Sequence, residues 1–200
     1  MGQYPIFTIT PVAMFKTRVG RSIIDYILFL KGMAKSDSFF IRAKASFNGT
    51  TFDQVSVDLG AYVDALGKSV LRIHNVAVQW GTPLEAADTA TTNASMANAF
   101  QLTTQSQTAM VDMTDKSVIA SGRISLHTDG TAGPTQINDE LDVAPQNWTS
   151  GYLVGVEQIY LAVDSSSADN LGLSQCAIVL ECTVETLSQS AAMALALSQQ

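Results

Sequence analysis

Residues 174–186 read Ser-Gln-Cys-Ala-Ile-Val-Leu-Glu-Cys-Thr-Val-Glu-Thr, SQCAIVLECTVET. From Cys176 to Val184 the stretch alternates, which is the side-chain period of a strand with one buried face. At roughly 3.3 Å per residue, Cys176 and Cys182 then share a face about 20 Å apart. A disulfide needs Cα atoms within about 7 Å, so the two cannot bridge each other. They read as buried, inert thiols of a protein made in a reducing compartment. The sequons at Asn48, Asn93 and Asn147 carry no meaning in that setting.

Working outward, 152–163 (YLVGVEQIYLAV) alternates over a similar length, and 164–173 (DSSSADNLGL) is the loop between the two. Upstream, 117–127 (SVIASGRISLH) and 69–80 (SVLRIHNVAVQW) are further strands, the latter closed by Gly81-Thr82-Pro83. Residues 39–47 (FFIRAKASF) and 52–59 flank Asn48-Gly49, the strongest short hairpin signal. Shorter strands are expected near 99–105 and 108–113. Residues 84–98 are expected as a loop, and 128–151, punctuated by Gly130, Gly133, Pro134 and Pro145, as a long polar connection. About eight strands without βαβ alternation predict an all-β fold: an antiparallel β-sandwich, an eight-stranded single jelly roll. The expected organisation is an N-terminal extension over 1–38, the sandwich over 39–188 and a short apolar tail over 189–200. Residues 22–34 fit either an amphipathic helix or an extra strand.

Charge is unevenly placed. Seven Lys and Arg against Asp25 and Asp37 give the first 44 residues about +5, and the other 156 carry about −12, for a net −7. Only 14% of residues are charged, against roughly 25% in ordinary soluble domains. That suits a strand-rich surface that something else covers. The longest apolar run, Ile23 to Leu30, is broken by Asp25 and falls short of the roughly 20 residues of a membrane span. The start of the chain lacks the pattern of a secretory signal.

Catalytic and cofactor motifs are sparse. His74 and His127 come without zinc-ligand spacing. The chain has no Gly-x-Ser-x-Gly elbow and no phosphate loop, so no enzyme activity and no cofactor are expected. The metal candidate is the acidic stretch Asn138-Asp139-Glu140-Leu141-Asp142, with Asp129 upstream. Asp139, Glu140 and Asp142 could offer oxygen ligands to calcium, although the missing EF-hand spacing favours a solvated loop. Asp164 and Asp169 carry the same discount. Lys16, Arg18 and Arg21, with no acid before Asp25, are the candidate contacts to an anionic partner. Arg42 and Lys44 alternate with Ile41, Ala43 and Ala45 and decorate a strand face.

Taken together, the strand run over 39–186, the mildly basic N-terminal extension, the apolar tail and the few charges resemble viral jelly-roll capsid proteins. The resemblance implies a structural subunit of a capsid that self-assembles into a shell and is found in the virion. Its partners would be copies of itself and other capsid proteins, with nucleic acid or an internal membrane at the N-terminal arm. One departure stands out. An excess of five charges balances about five phosphates, so some sixty subunits would neutralise only about 300 nucleotides. The arm therefore does not package a genome by charge matching. The alternative function is a carbohydrate- or ligand-binding, lectin-like sandwich using Trp80, Trp148 and Tyr152 as stacking platforms.

Overall fold

Alternating sequence becomes nine strands in the computed structural model, which describes residues 35–64, 68–87, 94–128 and 136–200. They are β1 (Phe39–Ser46), β2 (Asp53–Asp58), β3 (Ser69–Trp80), β4 (Ala94–Thr103), β5 (Val118–Thr128), β6 (Gln136–Val143), β7 (Tyr152–Val154), β8 (Gln158–Ser165) and β9 (Gln175–Thr186). One sheet has the order β1-β9-β3-β7 and the other β2-β8-β4-β5-β6. Every pairing is antiparallel. The two sheets form a sandwich-like all-β fold whose core is filled from both inner faces. Cys176, Ile178, Leu180 and Cys182 of β9 face Phe100, Leu102, Ile159 and Leu161 from the second sheet, all at most 1% exposed.

The pairing is nested. β1 runs against β9 (Phe39 opposite Cys182), β2 against β8, β3 against β7 and β4 against β5. This overturns the expected hairpin at Asn48-Gly49. The turn is present, with a bridge between Asn48 and Thr51, but it is a corner that carries the chain from one sheet to the other. Placed in opposite sheets, β1 and β2 can both turn their apolar residues inward. Side by side they would not enclose a core.

Other boundaries also moved. No strand forms at 108–113, which is a loop, and β4 begins at Ala94, inside the expected loop. The connection at 128–151 contains β6. The single strand expected over 152–163 is two, β7 and β8. The break falls where the tail, 189–200, folds as a helix, α1 (Gln189–Ser198), against the sandwich. A side chain at Gly155 would come within 3.0 Å of Leu195 Cγ and 3.1 Å of the Ala196 nitrogen, so any larger residue would push the helix back by a few tenths of an ångström. Ser188 caps α1 by accepting from the Ala191 N–H, and Ala192 and Ala196 are buried, while Leu197 stays 67% exposed. No helix among the described residues is long and apolar enough to cross a membrane. The expected arm over 1–38 lies almost wholly outside the described residues, as does the open choice at 22–34.

Both cysteines are free and buried on the inner face of β9. Burial pushes each thiol up to about 12, helped by the charge of Asp139 at Cys176 and of Glu181 at Cys182. Protonated thiols are poor nucleophiles. A disulfide-exchange reagent at pH 8 should therefore titrate no thiol in native protein and two per chain in denaturant. Fast native reaction would show that the core of β9 opens readily.

Candidate functional site

Carboxamides hold the irregular segments onto the sheets. On the outer face of the five-stranded sheet, Gln54, Ala162, Gln101 and Ser121 stand in one cross-strand row. The loop between β4 and β5 folds back over this row, and Ala162 is fully buried although it points away from the core. The Gln101 amide donates to the Val111 carbonyl (2.7 Å) and accepts from the Val111 N–H (3.1 Å). Gln54 accepts from the Gln107 N–H and donates to Ser106 Oγ. Gln146 makes the same two-point contact with the N–H and carbonyl of Val76 at 3.1 Å each. Gln199 does so with the Gly155 N–H and Leu153 carbonyl, at 2.8 and 2.7 Å. In each case a side chain satisfies at least one backbone group of a distant segment.

Charge is concentrated at one node on the four-stranded sheet. Arg72 of β3 grips Glu185 of β9 with two parallel hydrogen bonds of 2.7 and 2.8 Å. It also donates to the Ser150 carbonyl, which ties the 145–151 segment to the sheet. Beside it Gly151 adopts φ +64°, and a Cβ there would lie 2.3 Å from the Ile73 carbonyl oxygen. Glu185 is only 5% exposed, with Lys35 at 3.7 Å. His74, at the bulge in β3, shares a 2.9 Å hydrogen bond with Thr183 Oγ1. The arginine hydrogen bonds hold the Glu185 carboxyl below the usual range against the opposing effect of burial. Burial first, then Lys35, holds His74 below its ordinary value, with Arg72 adding and Glu181 and Glu185 opposing.

The residues singled out by sequence fare differently. Lys16, Arg18, Arg21 and Asp129 lie outside the described residues. Asp139, Glu140 and Asp142 sit on strand β6 and not in a loop, and alternation separates them. Asp139 accepts from Trp80 Nε1 (3.0 Å), whereas Glu140 turns outward to Arg123 (3.7 Å). Asp142 and Arg123 border a shallow cavity of about 220 Å³ beside Met110 and Met113. Among the described residues no three acidic, His or Cys side chains are grouped to hold a metal. Asp164 and Asp169 bind nearby N–H groups, those of Ser165 and Leu171. His74 and His127 are in different sheets, the latter beside Ser95 Oγ at 3.0 Å.

Of the three candidate stacking aromatics only Trp148 is open, at 54%. Trp80 packs edge-on against Phe100 and over Phe47, and Tyr152 is half-buried. They form no common platform. Arg42 and Lys44 do decorate the outer face of β1, with the Arg42 guanidinium 5.9 Å from the exposed Phe40 ring. No family model matches the chain, and no curated protein matches it.

The clamps went unforeseen because a glutamine inside an alternating run looks like surface. The one available hint was Gln101 lying between Phe100 and Leu102. Replacing Gln101 with Ala should cost about 1–3 kcal/mol and raise hydrogen exchange at 110–113. Unchanged exchange would mean that the loop is held by other contacts. For the charged node, both shifts are downward, so its stability is present above the ordinary pKa values and lost as acid is added. The urea midpoint should fall as pH drops below 6.5, where His74 resists its proton, and again below 4.5 through Glu185. His74→Gln should flatten only the upper limb.

Proposed function

We propose that this chain is a structural subunit that self-assembles into a viral shell, with its sandwich wound as a jelly roll. The observation that carries the reading is the nested pairing of β1 with β9, β2 with β8, β3 with β7 and β4 with β5. A single long antiparallel ribbon folded over itself produces that nesting, and it is the winding of the jelly rolls used by viral capsid and lectin domains. β6 is then an additional strand on the edge of the second sheet.

Three features favour the shell over a sugar-binding role. The stacking aromatics are dispersed, with Trp80 and Tyr152 committed to packing. Charged residues are few, which suits a surface covered by neighbours. Among the described residues, β1 and β7 on one sheet and β2 and β6 on the other each pair on one side only. In this reading the protein performs no catalytic step and works in the virion after synthesis in a reducing cell interior. It meets copies of itself and other capsid proteins, and the basic extension, Lys16, Arg18 and Arg21 included, faces genome or membrane.

Size-exclusion chromatography with negative-stain microscopy of the purified full chain tests the proposal. Shells, rings or large oligomers are expected. A monomer that persists across salt and protein concentration would overturn it.

A further inference from the structure

Two edge strands carry opposite charge in the same spacing. β1, the edge of the four-stranded sheet, presents Arg42 and Lys44 on its outer face. β6, the far edge of the five-stranded sheet, presents Glu140 and Asp142 two residues apart on its outer face. Each pairs with one neighbour only among the described residues. Both also leave apolar side chains in water, Phe40 at 54% on β1, Ile137 at 51% and Leu141 at 40% on β6. The remaining edges offer no such match. β7 has three residues, and the acids of β2, Asp53 and Asp58, fall on opposite faces.

Charges on an edge usually prevent strands of different molecules from pairing. Here they do so selectively. A β1–β1 contact sets Arg42 and Lys44 against themselves, and a β6–β6 contact does the same for the acids. Only β1 against β6 brings unlike charges together. From this the geometry points to β6 of a second copy adding to β1 as a further antiparallel strand, with Arg42 opposite Asp142 and Lys44 opposite Glu140. In that register outer residues stay on the outer face and Ala43 meets Leu141 on the inner face, while Ile41 falls at the bulge of β6, where Val143 is set opposite Ser121. Backbone pairing supplies the contact and the side chains fix its register. Because the two surfaces differ, the contact is head-to-tail, the kind that closes into rings or shells or runs on as filaments. The inference rests on the self-assembly reading and names the surface through which it occurs.

Two variants of the full chain test it, Arg42→Glu/Lys44→Glu and Glu140→Lys/Asp142→Lys. Each alone presents like charges at every β1–β6 contact, so its assembled fraction at low salt should fall by about tenfold or more in light scattering. Mixing the two restores opposite signs and should restore assembly. A charge-neutral readout comes from mixing Ser46→Cys protein with Asn138→Cys protein. These positions face each other in the proposed register and should cross-link between copies. If wild-type protein assembles, both charge variants assemble equally well and no cross-link forms, the edge pairing is overturned and the shell reading stands. If the wild type never assembles, both fall. Should a charge variant lose its β-sheet circular dichroism, the cross-link alone decides.

Discussion

Strand β9 is the constraint on which the sandwich depends. It is hydrogen-bonded to β1 on one side and to β3 on the other along most of its twelve residues. Its inner face also buries Cys176, Ile178, Leu180 and Cys182 against the opposite sheet. A one-residue slip would turn Ala177, Val179 and Glu181 inward and lift the core residues into water. Register along β9 therefore fixes register in its whole sheet. The bulge at His74 is the local adjustment that keeps β3 in step with it.

Around this regular centre, glutamines finish what the strands leave incomplete. β7 pairs with β3 only from Leu71 to Ile73, and farther along the same strand Gln146 satisfies both backbone groups of Val76. Gln199 joins the chain's end to the gap between β7 and β8. Gln101 and Gln54 fix the loop that covers Ala162. A carboxamide carries a donor and an acceptor with the spacing of a peptide group, so it substitutes for a missing strand without adding charge. The Arg72–Glu185 pair is the ionic counterpart. Burying it carries a desolvation cost that its parallel hydrogen bonds offset.

How much was legible in the sequence follows from where side chains end up. β3, β5 and β9 were readable because they are long and alternate against a buried inner face. β6 was not, since Ile137 and Leu141 on its inner-facing side remain 51% and 40% exposed, and the run QINDELDV looks like a polar loop. In β4 Ala94, Ala97, Asn98 and Ala99 give weak strand propensity, and pairing with β5 and β8 on both sides overrides it. The turn at Asn48-Gly49 was visible, but whether it joins strands within a sheet or between sheets is a nonlocal property. For the sites, single residues could be named, yet their grouping could not. The two aligned Glu185 oxygens come from a residue 113 positions away from Arg72, a relation no local pattern carries.

The nested pairing also sets a timetable. Phe39 opposes Cys182, so the outermost rung of the ladder joins positions near the two ends of the sandwich. A ribosome releases residues at about 5–20 per second, so β1 waits several seconds or more for its partner. Until β9 emerges, β3 also lacks its long neighbour, and the four-stranded sheet cannot exist. Contacts this distant in sequence make for slow folding, on the order of milliseconds to seconds once synthesis ends. Through that interval β1 lacks its β9 partner, and the cations on its outer face disfavour pairing with the β1 of another nascent copy.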